Sequence, residues 1–242
     1  VFTLGTFVMR SAGCVINDYA DRHVDGSVKR TVDRPLATGA LQPKQALTLF
    51  AILVGIAGLL VLFLNWQTRL LALGGLAIAM AYPFMKRYTH LPQVVLGAAF
   101  SWGIPMAWSA QGHGVPTVSW LMFVGSLLWI VAYDTEYAMV DRDDDLKIGV
   151  KSTAILFGDL DRAIIALLQA LSLVTFYLLG QRLGYGVVFN VALVVVMGLF
   201  IYQQWLIRHR QRDGAFAAFR NNIWVGVAIL VGTLSEVMLA QL

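Results

Sequence analysis

The chain has 242 residues, of which 58% are hydrophobic and only 13% are charged, and its mean hydropathy is +0.70. Soluble domains contain about 25% charged residues, so this composition excludes an ordinary soluble domain and indicates a membrane protein with several spans. The lone Cys14 excludes an intrachain disulfide, and the net charge of +4 is small; no binding of nucleic acid is expected.

Eight apolar segments follow one another along the chain, and most have about 20 residues, the length with which a helix crosses a hydrocarbon core. None alternates apolar and polar residues as the strands of a membrane barrel do, so all eight are predicted to be transmembrane helices. They cover residues 1–17, 44–64, 69–85, 93–111, 117–138, 160–180, 186–206 and 219–240. The sequence therefore predicts an all-α transmembrane bundle that forms a single domain over residues 1–242.

Two of the eight segments have unusual features. The first begins at Val1 with no Met and no basic stretch before it, so we expect the chain to lack its N-terminal part. The third segment is short and contains Gly74, Gly75 and Pro83, which predict that it is tilted or broken.

Basic residues are concentrated in alternate loops. Residues 18–44, 86–92, 139–162 and 207–220 contain fifteen of the eighteen Lys and Arg residues. Because short basic loops stay on the cytoplasmic side of a membrane, this asymmetry places these four loops in the cytoplasm. Two of them, 18–44 and 139–162, are also long, and long loops in a compact fold are usually functional.

Acid and amide side chains form two clusters on this side, and the clusters contain nine of the fourteen Asp and Glu residues. The first cluster extends over residues 17–25. There, Asn17, Asp21 and Asp25 are spaced i, i+4 and i+8, so on a helix they form one stripe. Asp18 lies about 100° away from that stripe and is expected to face elsewhere.

The second cluster extends over residues 134–145 and follows another apolar segment. Its members Asp134, Asp141 and Asp145 are spaced i, i+7 and i+11 and fall within about 40° of one another on a helix. One such cluster alone is typical of a solvated helix end. Two matched clusters in an acid-poor chain repel unless a cation lies between them, so we interpret them as facing each other across bound divalent metal. Oxygen ligands of this kind suit Mg²⁺, which takes its remaining ligands from water and phosphate.

Basic side chains alternate with these acids. The candidates for binding phosphate are Arg22, Lys29, Arg87 and Lys151, because Arg binds phosphate oxygens with two parallel hydrogen bonds and Lys supplies a compact charge. Acids for Mg²⁺ together with bases for phosphate indicate a diphosphate substrate. The cytoplasmic placement of their loops explains the charges of Lys44, Arg162 and the group Arg208, Arg210 and Arg212. No Walker A sequence, paired-Cys site or Gly-rich dinucleotide turn competes with this interpretation.

The two clusters resemble the paired aspartate motifs of UbiA-type intramembrane prenyltransferases. The first matches the family's NDxxDxxxD pattern, and the second contains DxxxD at Asp141 and Asp145. The flanking sequences are most similar to the bacterial 4-hydroxybenzoate polyprenyltransferases of ubiquinone synthesis, and the similarity extends over essentially the whole chain. The matching stretches are NDYADRHVD (17–25), VKRTVDRPLATG (28–39), YPFMKRYTHLPQVVLGAAF (82–100), DTEYAMVDRDDDLKIGVKST (134–153) and KSTAILFG (151–158).

The resemblance implies a fold of nine transmembrane helices around a central cavity, of which this chain supplies eight. It implies transfer of a polyprenyl group from a polyprenyl diphosphate to the ring of 4-hydroxybenzoate, ortho to the hydroxyl, in ubiquinone biosynthesis. The enzyme is then expected in the bilayer of the bacterial inner membrane, with its active site toward the cytoplasm.

Roles for individual residues are also implied by the resemblance. Two Mg²⁺ bridge the diphosphate, and their ligands are Asn17, Asp21, Asp141 and Asp145. Asp25 belongs to the same metal site and acts through water or by holding a basic residue. Asp134 orients the phenol or accepts its proton, and Arg87 is a second catalytic candidate. Charge and position, and not the resemblance, give the candidate diphosphate contacts, which are Arg22, Lys29, Arg87, Lys147 and Lys151.

Two alternatives stay open. An enzyme of the same fold with another acceptor, such as a naphthoate or homogentisate, has the same metal motifs. A cation-coupled transporter is the other alternative, but transporters place ionisable groups near the midplane of the membrane. Here the acids lie at one membrane face, and Arg10 and Glu236 are the exceptions within the spans.

Overall fold

A computed structural model describes residues 1–27 and 31–239, and within them it contains α-helices, short 3₁₀ turns and no strand. The all-α prediction is therefore confirmed, and helices cover all eight predicted spans. The helices are α1 (Phe2–Asp21), α2 (Pro43–Val61), α3 (Trp66–Met85), α4 (Pro92–Ser101), α5 (Gly103–Ala110), α6 (Thr117–Ile148), α7 (Thr153–Phe157), α8 (Asp161–Leu183), α9 (Val187–Leu206) and α10 (Arg212–Leu239).

Six helical stretches are long and apolar enough to cross a membrane. They are Pro43–Val61, Trp66–Met85, Thr117–Ile148, Thr153–Leu183, Val187–His209 and Arg212–Leu239. The other two predicted spans correspond to α1 and to the pair α4 and α5. The chain is thus a multi-span membrane protein.

The third span, predicted to be tilted or broken, is not broken, and a break lies in the fourth span instead. Helix α3 runs without interruption from Trp66 to Met85 and contains Pro83 in its last turn. The fourth span is divided at Trp102 into α4 and α5. Pro105 explains the division, since its ring cannot accommodate the carbonyl of the residue four positions before it.

The two glycines of α3 make room for that break. A side chain at Gly75 would meet the indole of Trp102 at 2.7 Å, so the ring lies directly on the helix backbone. The indole N–H of Trp102 donates a hydrogen bond of 2.8 Å to the carbonyl of Leu71. The glycines therefore allow α3 to pack closely against Trp102 of the neighbouring span.

The helices form two compact units. The first comprises residues 1–116 and 143–152, and the second comprises residues 117–142 and 153–242. In the first unit, α1 packs against α2 and α3, and α3 packs against α4 and α5. The start of α3 is fixed to the end of α5, since Thr68 and Ser109 share a buried hydrogen bond of 2.9 Å between their hydroxyls.

In the second unit, α8 and α10 each pack against α9. Its apolar core includes the fully or nearly fully buried side chains of Ile165, Phe176, Phe189, Val196 and Val225. Helix α6 contributes a buried carboxyl at its centre, that of Glu136, which is bound by amide side chains of α8 and α10. The prediction of a single domain over the whole chain stays a prediction.

Candidate active site

The first acid cluster lies where α1 ends. Asn17 and Asp21 are one turn apart in the last part of α1, whereas Asp25 lies beyond its end in a 3₁₀ turn, Asp25–Ser27. The predicted stripe is therefore correct for Asn17 and Asp21 and wrong for Asp25. Gly26 and the negative end of the helix dipole, which opposes further carboxylates, favour ending the helix before Asp25.

Asp21 is the most constrained acid of the cluster. Its residue is 3% exposed, and its Oδ2 accepts a charged hydrogen bond from Nζ of Lys86, the residue after α3. Burial raises the pKa of Asp21, and the ammonium group of Lys86 opposes that rise. Its Oδ1 is buried and has no hydrogen-bond partner among the described residues. A buried anionic oxygen without a donor is unfavourable, and a bound cation satisfies it.

Asp25 binds a basic residue that the sequence analysis did not single out. Nη1 of Arg34 lies 3.1 and 3.3 Å from the two carboxylate oxygens of Asp25 and 2.9 Å from Oδ1 of Asp18. The backbone carbonyl of Asp25 also accepts a hydrogen bond from the hydroxyl of Thr31, at 3.0 Å. Asp25 thus holds Arg34 beside the first motif, and Asp18, which was expected to face elsewhere, shares that arginine.

The predicted diphosphate contacts of this unit lie close to the end of α1. Arg22 donates to the carbonyl of Tyr19 at 2.6 Å, and its guanidinium lies 4.3 Å from the centre of the Tyr19 ring. Arg87 is exposed and donates to the carbonyl of Ala20. Both guanidiniums therefore bind backbone carbonyls of the last turn of α1, the turn that ends at Asp21. The predicted contact Lys29 falls outside the described residues.

The segment after α3 joins two parts of the sequence that contain motif residues. Lys86 binds Asp21 through its side chain, and its carbonyl accepts a hydrogen bond of 3.0 Å from the backbone N–H of Lys151. Nζ of Lys151 lies 3.2 Å from the carbonyl of Tyr88. Lys151 is thus placed against residues 86–88 within the first unit. The sequence analysis singled out Arg87 in this segment and assigned no role to Lys86.

The second acid cluster lies on one continuous helix. Asp134, Asp141 and Asp145 all belong to α6, so the helix that the prediction of a common face required is present. The predicted loop 139–162 is instead helical as far as Ile148. Helix α6 ends where Gly149 adopts φ 74°, a left-handed conformation that glycine tolerates. Asp134 is buried, and Asp141 and Asp145 are half-buried.

The residues of the second acid cluster belong to different compact units. Asp134 and Asp141 belong to the second unit, whereas Asp145, Lys147 and Lys151 belong to the first. Lys147 is largely exposed, and its Nζ lies 3.6 Å from Oδ1 of Asp144, one turn earlier on α6. The expectation that the two clusters face each other across metal stays a prediction.

The residues present fit Mg²⁺. Neither unit, in its described residues, gathers three His, Cys, Asp or Glu side chains into a metal-binding group. A magnesium ion does not require such a group, because it takes few protein carboxylates and keeps water and phosphate oxygens as its other ligands. The unpaired oxygen of Asp21 and the nearby amide of Asn17 are suitable donors. In the described chain, the side chain of Asn17 makes no hydrogen bond.

The sequence of the chain is similar to those of known proteins of one family. The sequence pattern of the UbiA prenyltransferase family matches residues 1–226. The chain is 57% identical over 236 residues to a 4-hydroxybenzoate octaprenyltransferase of Pseudomonas syringae pv. syringae, covering 98% of this chain and 80% of that protein. It is 61% identical over 232 residues to a protein of the same description from Pseudoalteromonas atlantica, covering 96% and 81%.

Solved structures of similar fold include proteins described as UbiA homologs. The apo structure of one from Aeropyrum pernix K1 gives a TM-score of 0.80 at 27% identity and covers 95% of this chain and 87% of that one. A homolog from Archaeoglobus fulgidus bound to GPP and Mg²⁺ gives a TM-score of 0.70 at 16% identity, covering 96% and 85%. The second similarity is one of fold alone.

Proposed function

The chain belongs to the UbiA prenyltransferase family, and we propose that it transfers the polyprenyl group of a polyprenyl diphosphate to 4-hydroxybenzoate. The group enters the ring ortho to the hydroxyl, in a Mg²⁺-dependent step of ubiquinone biosynthesis. The observation that carries this proposal is the high identity to 4-hydroxybenzoate octaprenyltransferases over nearly the whole chain. The buried and half-satisfied carboxylate of Asp21, beside Lys86 and two arginines, supports it chemically.

The ends of α1 and α6 provide the ligands that we assign to the metal. Asn17 and Asp21 form one pair on α1, and Asp141 and Asp145 form the other on α6. Within each pair, the two residues are one helical turn apart. These two pairs of oxygen ligands would hold two Mg²⁺ ions beside the diphosphate. We assign Asp25 to the same site as a supporting residue, because its carboxylate holds Arg34. Bound Mg²⁺ supplies positive charge that stabilises the departing diphosphate.

The basic residues complete the binding of the donor. Arg22 and Arg87 lie beside the last turn of α1, and Lys151 lies beside residues 86–88; the remaining assigned contacts are Lys29 and Lys147. Their charges stabilise the diphosphate as the allylic C–O bond breaks, when negative charge develops on its oxygens. Apolar helices exclude water, which would otherwise react with the allylic cation.

The acceptor needs one group for its phenol and one for its carboxylate. Asp134 is buried on α6, seven residues before Asp141, and we assign it to orient the phenol or accept its proton. Arg10 is our candidate for the carboxylate. It lies on α1 seven residues before Asn17, so the two share a face about 10 Å apart along the axis. Arg10 is exposed, and no described residue pairs with it. Placing a cation in an apolar segment is costly, so such residues usually mark a functional site.

The proposed location is the bacterial inner membrane, with the site toward the cytoplasm. Helices of sufficient length and apolarity support the membrane assignment. The basic loops that flank both aspartate motifs support the orientation, since fifteen of eighteen Lys and Arg residues occur in the four loops assigned to the cytoplasm.

The decisive experiment is a prenyl-transfer assay with membranes that contain the protein. Octaprenyl diphosphate, 4-hydroxybenzoate and Mg²⁺ should give a prenylated 4-hydroxybenzoate detected by mass spectrometry, and EDTA should abolish it. Asp21→Asn and Asp141→Asn should each lower the rate about 100-fold or more. Product from a naphthoate or homogentisate, with none from 4-hydroxybenzoate, would refute this acceptor and support another enzyme of the same fold.

A further inference from the structure

A buried ion cluster lies at the start of α8 in the second unit. Asp161, the first residue of α8, is 0% exposed. Its Oδ2 lies 2.8 Å from Nη2 of Arg142, and its two oxygens lie 2.9 and 3.1 Å from Nε of Arg210. The backbone N–H of Arg162 donates to Oδ1 at 2.6 Å. A carboxylate at a helix N-terminus is favoured by the helix dipole, and this one also has two cationic partners.

Arg142 is the member of this cluster that connects it to the reaction. It follows Asp141 directly on α6, and its guanidinium enters a socket formed by residues 154–161. Nη2 of Arg142 donates to the carbonyls of Ala154 and, at 3.3 Å, of Gly158, in addition to the carboxylate of Asp161. Three acceptors around Nη2 hold this end of the guanidinium in the socket, while its buried Nε has no hydrogen-bond partner among the described residues.

Arg210 closes the cluster from the connection between α9 and α10. Its backbone adopts φ 54°, the only left-handed conformation of a non-glycine residue in the described chain. From there Nη2 of Arg210 donates to the carbonyl of Asp159 at 2.7 Å, while its Nε binds Asp161. A strained backbone persists only where its surroundings hold it, and the contacts of Arg210 with Asp161 and with the carbonyl of Asp159 hold it here. Asp161 thus joins α6, the 154–161 turn and the α9–α10 connection.

We propose that Asp161 is a positioning residue for prenyl transfer. By binding Arg142 in its socket, Asp161 fixes the rotation of α6 about its axis, and this rotation determines whether the carboxylate of Asp141 points toward Mg²⁺ and diphosphate. The inference rests on the proposed function, in which Asp141 is a metal ligand. Neighbouring residues on a helix differ by about 100° in direction, so immobilising one side chain determines the direction of the next. Groups that orient a metal ligand affect metal affinity although they do not touch the metal.

The test replaces the charge of Asp161 while keeping its shape. In Asp161→Asn, two arginines remain without a carboxylate between them, and their repulsion releases Arg142 from the socket. We expect the Mg²⁺ concentration for half-maximal activity to rise about 10- to 100-fold, with a smaller change in the KM for 4-hydroxybenzoate. Binding of Mn²⁺ to the purified protein with inorganic diphosphate, followed by electron paramagnetic resonance, should weaken by a similar factor. That binding does not depend on the identity of the acceptor.

Three further variants separate positioning from folding. Asp159→Asn removes an exposed acid two residues earlier and should leave Mn²⁺ binding unchanged, whereas Asp161→Glu should restore part of it. Arg142→Gln alone and combined with Asp161→Asn should shift Mn²⁺ affinity by the same factor as Asp161→Asn alone, because both residues act through one contact. If Asp161→Asn lowers only the thermal stability and binds Mn²⁺ as the wild type does, the proposal is overturned. A wild type that binds Mn²⁺ and diphosphate but does not prenylate 4-hydroxybenzoate would refute the acceptor and not the role of Asp161.

Discussion

Lys86 places its ammonium group against the carboxylate of Asp21, and this contact joins the residue after α3 to the last turn of α1. The side chain of Asp21 is 4% exposed and that of Lys86 is 23% exposed, so the pair is shielded from most solvent. A buried carboxylate next to the negative end of a helix needs a cation. Lys86 provides one charge at Oδ2, and the unpaired Oδ1 is the position that suits a metal ion.

The first prediction concerns the pH dependence of activity. Burial raises the pKa of Asp21 and Lys86 opposes that rise, so in Lys86→Met the pKa of Asp21 should be higher than in the wild type. Asp21 must be ionised to bind metal, and a higher pKa means that it is protonated over a wider acidic range. The acidic limb of kcat/KM for the donor should therefore move to higher pH. Lys44→Met, an exposed lysine at the start of α2, is the matched control, and identical profiles for the wild type and Lys86→Met would contradict the prediction.

The second prediction distinguishes two roles of Asp25. If Asp25 acts by holding Arg34, then Asp25→Asn and Arg34→Gln should raise the Mg²⁺ concentration for half-maximal activity by the same factor, and the double variant should be no worse. Arg34→Gln should also destabilise the protein by about 3 kcal/mol, because it leaves the buried carboxylate of Asp25 without this partner. Asp25→Asn should destabilise it less, because Arg34 keeps its contact with Asp18. The measurements are Mg²⁺ titrations of activity and thermal unfolding in detergent. An effect of Asp25→Asn that Arg34→Gln does not reproduce would show that Asp25 binds the metal directly.

The sequence predicted the helices well because each is a long apolar segment, and it predicted the aspartate motifs because acids are rare in this chain. It failed where tertiary contacts decide the outcome. The effect of Gly74 and Gly75 depends on Trp102, which packs against them from the next span. The binding of Arg34 to Asp18 and Asp25, and of Lys86 to Asp21, joins residues on separate elements, and no periodicity within one helix encodes such a pair.

The third prediction tests Arg10 as the residue that binds the acceptor. Arg10→Gln should raise the KM for 4-hydroxybenzoate about tenfold or more, since a charged hydrogen bond to the carboxylate is lost, and should leave the KM for the polyprenyl diphosphate nearly unchanged. Arg182→Gln, which removes an exposed arginine near the end of α8, is the control and should change neither value. A parallel rise in both KM values, or none in either, would remove Arg10 from the acceptor site.

The fourth prediction concerns the polar contacts inside the second unit. Glu136 is fully buried on α6, and its oxygens accept hydrogen bonds from Gln169 at 3.3 Å and from Asn222 at 3.0 Å. Asn222 in turn accepts a hydrogen bond of 2.7 Å from the indole of Trp129. The carboxyl group therefore connects α6 to α8 and α10 through side-chain contacts alone.

Shortening the side chain of Glu136 should lower the free energy of unfolding more than replacing its carboxyl group by an amide. Glu136→Ala removes one of the two acceptors of each buried amide, so that Gln169 then donates only to Gln203 and Asn222 only to the carbonyl of Ala218. It also opens a cavity, so it should destabilise the protein by about 3 kcal/mol or more. Glu136→Gln keeps the volume and one acceptor oxygen and removes a buried acid, so the loss should be about 1 kcal/mol. Thermal unfolding of the purified protein in detergent measures both, with Gln181→Ala at an exposed position of α8 as control. An alanine variant as stable as the glutamine variant would mean that neither the volume nor the hydrogen bonds of this side chain stabilise the bundle, because the two variants differ in both.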